Sequence, residues 1–423
     1  MKTKALLIKT GLAAAVKAGA AFIAFFMTIT ITRLLGAEQA GLFLLALSIL
    51  SFGSVFLRLG LDSVVVRFIG SSQGNLRSIS ALSTGLIWST LATLAITILF
   101  LFGADILSVY VFTKPKFENV LSIMILALPF MVVFMLLGFG FQAFYRVIAA
   151  TFFQNFGLSS LFLVFFGIVY SLNMHKELTA TYFAYFYVTA AIVVCIIALL
   201  MWNRQIKGNW GRLKFKDEEL WANSSNLWVA SIMNLTVQWS GILIAGAMLP
   251  SADIAYLSAA LRTAMLASFV LTVVNMVVAP RYALLWKQNK LDEIQKLARW
   301  STRGMILLVL PIITLMLVIP NIIMGFFGDE FVVAGNLLSI LALGQFIGVA
   351  SGSVGYLLNM SGHERDFRRV TMFSGPITII LSYVFILQWG VLGAAIATAI
   401  GMSLQNIGAL FMVRKRLGFW PVG

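Results

Sequence analysis

About twelve apolar runs follow one another along this chain, each near the roughly 20 residues that a bilayer-spanning helix needs. Basic residues collect in every second gap between them. A chain built this way is expected to fold as an all-α integral membrane protein. The runs fall at 9–35, 39–59, 79–103, 118–140, 148–172, 179–203, 222–249, 254–280, 304–326, 333–359, 369–388 and 390–413. With 61% hydrophobic residues, the chain carries more apolar surface than a water-soluble domain hides. The first run is long and leads into no soluble domain, so it reads as a span and not a cleaved signal peptide.

Charge sets the expected orientation. With the N-terminus inside, 24 of the 30 Lys and Arg residues fall on the cytoplasmic side, among them Lys2, Lys4, Lys9, Arg204, Lys207, Lys287, Arg368 and Arg414 to Arg416. Four fall outside (Arg33, Lys114, Lys116, Lys176) and two within spans (Lys17, Arg262). The asymmetry predicts cytoplasmic termini in a multi-pass protein of the inner (plasma) membrane. It also explains the net charge of +15 without a nucleic-acid partner, since no compact basic domain exists. Cys195, alone of its kind, excludes an intramolecular disulfide.

Two polar stretches, 204–221 and 281–303, interrupt the pattern. The first predicts a division into a six-helix bundle over 1–203, a cytoplasmic linker over 204–221 and a second six-helix bundle over 222–423. The second contains KLDEIQKLARW, which fits a short amphipathic surface helix or a plain charged loop. Ala40–Leu44 and Asp253–Leu257 open spans two and eight in similar fashion. Six spans per half make such a repeat parallel.

Charges and amides inside the spans are the candidate binding residues, because burial of such groups in a membrane is costly. Lys17 shares a helix face with Thr10, Ala13, Ala20, Ala21, Ala24 and Thr28. That face would line a cavity or a neighbouring helix, unless Lys17 reaches back to the interface. Arg262 follows Ala255, Ser258 and Ala259 on its face. Arginine keeps its proton, so it must meet water, an anion, a carboxylate or backbone carbonyls. Arg58 and Asp62 are spaced to pair on a helix, and Arg58 with Arg67 would place positive charge at the inner mouth. Span seven sets Asn234 and Gln238 on one face, and Gln154, Asn155, Gln345, Asn359, Gln405 and Asn406 add amides elsewhere. Each is singly best read as a bridge between helices; together they suit a hydroxyl-rich ligand.

Other features have plainer readings. Gly344, Gly348 and Gly352, like Gly393, Ala397 and Gly401, form stripes for close helix packing. The run Tyr182–Tyr187 reads as an interfacial aromatic belt. Gly138-Phe139-Gly140 imitates a dinucleotide fingerprint but lies in an apolar span. There is no Walker A or HExxH motif, and no cofactor, metal or catalytic residue is expected.

Several segments resemble the Wzx-type oligosaccharide flippases, the polysaccharide transporter family of the MATE-like MOP superfamily. They include ITRLLGAEQAGLFLLALSIL at 31–50, RLGLDSVVVRF at 58–68, DIAYLSAALRTAML at 253–266 and VVAPRYALLWKQNKLDEIQKLARWSTR at 277–303. GDEFVVAGNLLSILALGQFIGVASGSVGYLLNMSGHE at 328–364 and GVLGAAIATAIG at 390–401 complete the set. The resemblance implies two six-helix bundles around a central cavity. It also implies movement of a polyprenyl-diphosphate-linked oligosaccharide from the cytoplasmic to the outer leaflet by alternating access, without enzymatic chemistry. Basic residues in spans one and eight face the cavity in related flippases, a role that falls here to Lys17 and Arg262. The substrate-binding set becomes Lys17, Arg58, Arg67, Arg262, Asn234 and Gln238, with a polysaccharide polymerase as a candidate partner. A multidrug or cation antiporter of the same superfamily is the alternative. It would need acidic residues deep in the spans, and the sequence shows none there.

Overall fold

The computed structural model describes residues 2–62, 64–66, 76–144, 146–172, 178–211 and 218–422. Among the described residues every regular element is helical. In chain order these are α1 (Lys2–Leu57), α2 (Leu76–Ile106), α3 (Phe117–Ile125), α4 (Ala127–Ala143), α5 (Val147–Thr151), α6 (Gly157–Ser171), α7 (Ala180–Gln205) and α8 (Glu218–Met248). They continue as α9 (Ser251–Lys287), α10 (Leu291–Val318), α11 (Pro320–Gly325), α12 (Gly335–Ala350), α13 (Val354–Met360) and α14 (Glu364–Leu417). One π-helical turn extends α2 over Leu107–Val111 and another joins α5 to α6 over Phe152–Phe156.

Among the described residues ten helical segments are long and apolar enough to cross a membrane. Two of them, Gly19–Leu57 and Glu364–Leu417, exceed one crossing, since 54 residues of helix would run about 80 Å against a hydrocarbon core of about 30 Å. Each contains a single break, at Gly36 and at Gly390, where the backbone leaves helical geometry. Both breaks lie where the apolar pattern changes from one expected span to the next.

One expectation is corrected. KLDEIQKLARW forms no separate surface helix; it is the first part of α10, which runs on without interruption into the apolar stretch. Its apolar residues explain why. Ile294 and Ala298 are buried in a cluster with Val278 and Tyr282 of α9, Val354 and Leu357 of α13, and Val413 and Leu417 of α14. Packing on three neighbouring helices holds the segment in register with the span that follows.

The chain forms two compact units, residues 15–232 and residues 1–14 with 233–423. In the first, Phe43, Phe162, Phe183 and Tyr187 make an aromatic core with ring centroids 5.6–6.4 Å apart. The Tyr182–Tyr187 run is therefore divided. Phe183 and Tyr187, four residues apart, point inward, whereas Tyr182 and Tyr185 are about half exposed. Gly140 lies under the buried Trp202 indole, where an added methyl would come within 2.8 Å of the ring. The glycine pair in α4 serves helix contact, as its apolar setting implies. In the second unit α12 crosses α14 closely at Gly344, whose added methyl would stand 2.8 Å from the Ala399 backbone.

Candidate functional site

In the unit of residues 15–232, Arg58 sits where α1 ends. The chain does not continue as a helix here: Leu59 and Gly60 take positive φ values of 54° and 72°. The Arg58–Asp62 pair is present, but across this turn instead of along a helix face. Arg58 is 5% exposed. Its Nε donates to Asp62 Oδ1 at 2.8 Å and its Nη1 to Ser54 Oγ at 3.2 Å, and the guanidinium lies 5.9 Å from the Phe139 ring centroid. The carboxylate offsets the desolvation of the cation.

The start of α8 fastens the same turn. Ser224 Oγ donates to Leu59 O, and Trp228 Nε1 donates to Phe56 O at 2.7 Å while its ring packs on Phe56. Sequence reasoning missed this contact, which joins residues more than 160 positions apart. Gly60 is required by the close approach as well as by its φ, since an added methyl would meet the Ser224 carbonyl and, at 2.6 Å, the Trp228 amide nitrogen.

Lys17 is half-buried on α1. On its expected face Ala20 and Thr28 are buried, and the Thr28 hydroxyl donates back to Ala24 O at 3.1 Å. The bulky Phe22 and Phe26 are exposed, so the contrast between a small face and a bulky one holds. Arg67 lies outside the described residues, and so do the side chains of Thr10 and Ala13.

In the unit containing 233–423, Arg262 projects from α9 over the indole of Trp239 on α8, with 5.7 Å from guanidinium carbon to ring centroid. Both Nε and Nη2 are buried. Ala255, Ser258 and Ala259, the small residues on its side of α9, are fully buried. They let a neighbour pack close and leave the long arginine to reach past them. The indole face attracts the cation without cancelling its charge. Trp239 was not singled out from sequence, although it adjoins Gln238. Gln238 is half-buried. Asn234 Oδ1 accepts from Gln405 Nε2 at 2.9 Å, an amide bridge between α8 and α14. Lys17 and Arg58 thus belong to one unit, and Asn234, Gln238 and Arg262 to the other. Among the described residues no three His, Cys, Asp or Glu side chains gather as a metal-ligand group.

Comparison with known proteins agrees with the resemblance read from the sequence. Residues 30–336 match the model of a family described as polysaccharide biosynthesis protein. The probable low-salt glycan biosynthesis flippase Agl15 of Haloferax volcanii is 27% identical over 180 residues, 42% of this chain; the match spans only 38% of that relative's length. Among solved structures, lipid II flippase MurJ in an inward closed conformation superposes with a TM-score of 0.74 at 14% identity, over 95% of this chain and 87% of its own. An inward-facing multidrug resistance MATE family transporter of the MOP superfamily gives 0.71 at 16% identity, over 96% and 98%. At these identities the structural likeness is one of fold. The chain is a multi-pass membrane protein of the polysaccharide biosynthesis protein family, built on the fold of the MOP-superfamily transporters.

Proposed function

We propose that the protein is a flippase that carries a polyprenyl-diphosphate-linked oligosaccharide from the cytoplasmic to the outer leaflet by alternating access. The observation that carries this reading is Arg262, a permanent cation inside a span, seated on the Trp239 indole. A guanidinium suits a diphosphate, to which it can donate paired hydrogen bonds. Lys17 on α1 and Arg58 at the end of α1 add positive charge, and the half-buried Gln238 offers an amide to sugar hydroxyls. The name of Agl15 and the family description support the same class of cargo. Counting the two broken segments twice brings ten crossings to twelve, six in each of two bundles, with both termini cytoplasmic and a polysaccharide polymerase acting downstream. An inside-negative potential would favour outward movement of the anionic head group by about 2.3 kcal/mol per charge per 100 mV.

The test is flipping of a polyprenyl-diphosphate oligosaccharide in proteoliposomes. Wild type should flip, and Arg262→Ala should lose at least about tenfold in rate, equal to ~1.4 kcal/mol. Lys17→Ala should fall by less. If wild type moves no such lipid but exports an organic cation, the antiporter reading replaces this one.

A further inference from the structure

We propose that the break between α12 and α13 is a binding site for a monovalent cation of the size of sodium, held by neutral oxygens. The argument starts from Thr302 on α10. Threonine in the middle of a helix usually donates its hydroxyl to the carbonyl four residues back. Thr263, Thr378 and Thr398 of the same unit all do so, at 2.6–2.8 Å. Thr302 does not. It is 1% exposed, and its Oγ1 has no hydrogen-bond partner among the described residues. It points instead at Gly352, where an added methyl would collide with it.

Gly352 lies in the break itself. α12 ends at Ala350 and α13 begins at Val354, with Gly352 at φ 81° between them. The helix end satisfies part of its carbonyls within the turn, Ile347 O by the Ser351 N–H and Val349 O by the Gly352 N–H. Ser351 satisfies its own hydroxyl on Ile347 O at 2.7 Å, but Ser353 Oγ is buried with no bond among the described residues. Asn275 Oδ1 on α9 is a third buried oxygen to which no described residue donates.

Each of these three groups adjoins the same buried apolar cluster along the chain. Val278, Ala298 and Val354 belong to a single buried apolar cluster. Asn275 stands one turn before Val278, Thr302 one turn after Ala298, and Ser353 immediately before Val354. α9 and α10 are successive helices joined by a short turn, so one turn back along α9 and one turn on along α10 lead off the cluster toward the same side, where Gly352, the neighbour of Ser353, meets Thr302. Unbonded polar atoms this deeply buried are costly unless something satisfies them.

The donor set selects the occupant. Two hydroxyls and an amide oxygen are hard, neutral ligands. Calcium and magnesium sites draw on carboxylates, and zinc-type sites on nitrogen or sulfur. Neither kind of ligand is among these three residues. Arg303, the next residue after Thr302, is exposed and about 100° round the helix. The site would give this chain a bound cation without any carboxylate inside a span, and it does not depend on the flippase reading.

Thermal unfolding of the purified full-length protein tests it, in NaCl and in choline chloride at equal ionic strength. Wild type should melt about 3 °C or more higher in saturating sodium. Thr302→Val and Ser353→Ala should abolish the difference, whereas Thr302→Ser and Ser351→Ala should keep it. If Thr302→Val does not fold, Ser353→Ala carries the comparison. Equal melting of wild type in both salts would overturn the proposal in favour of buried water, as would a sodium shift that survives both Thr302→Val and Ser353→Ala. The measurement uses no lipid-linked glycan, so its failure and a failure of flipping are separate results.

Discussion

Two helix breaks in this protein solve the same problem in different ways. The turn at Leu59-Gly60 exposes carbonyls that the protein itself satisfies: a serine hydroxyl on Leu59 O, an indole N–H on Phe56 O, and an arginine tied to Asp62 beside them. The break at Ser351-Gly352-Ser353 is faced by the Thr302 hydroxyl and contains the Ser353 hydroxyl, neither of which has a partner among the described residues. The first is a finished structural joint. The second holds buried oxygens whose desolvation the described residues do not repay, which is the condition for a ligand. Glycine at positive φ is common to both, so glycine alone does not tell a joint from a site.

Substitutions can break this comparison or sharpen it. Gly60→Ala should be the most damaging, at about 3 kcal/mol or more, because its methyl meets the α8 backbone at both Ser224 and Trp228 as well as an unfavourable φ. Gly352→Ala meets a movable hydroxyl and should cost less; urea unfolding in detergent ranks the two, and a reversed order would undo the distinction between joint and site. Asp62→Ala should follow at about 2 kcal/mol, since it strands the buried Arg58 guanidinium. The double variant Arg58→Met with Asp62→Leu should recover most of that loss on the same curves. Trp228→Phe keeps the ring on Phe56 but removes the N–H, and a loss of about 1 kcal/mol is expected. Last comes Ser353→Ala in sodium-free buffer. Its hydroxyl has no partner among the described residues to lose, so unfolding should stay within about 0.5 kcal/mol of wild type. A large loss there would mean that Ser353 bonds within the protein after all.

Much of the architecture was legible because hydropathy acts locally. A run of apolar residues seeks the bilayer whatever its neighbours do, and every expected span corresponds to helix among the described residues. The small stripe at Gly344 was legible for a similar reason: only a residue without a side chain permits the approach to Ala399. The candidate residues were legible as types and not as arrangements. Arg262 stood out because charge within a span is rare, but its platform, Trp239, looked like any membrane tryptophan. Asn234 appeared as one amide of several, and its partner Gln405 is 171 residues away. KLDEIQKLARW showed its helical period but not its continuity with the span, which the packing of Ile294 and Ala298 decides.

The sequence by itself determined a many-spanning helical membrane protein, because apolar length is a property of each segment alone, and the order of its motifs carried the resemblance to a family. The tertiary structure decided which polar groups are spent on the fold and which remain available. Arg58 is bound to Asp62 across a turn, Asn234 is bound to a distant helix, and Thr302 is turned away from its own helix toward a glycine at a break. Those outcomes depend on which helices come into contact, and a hydrogen bond exists only where two groups meet at the right distance and angle.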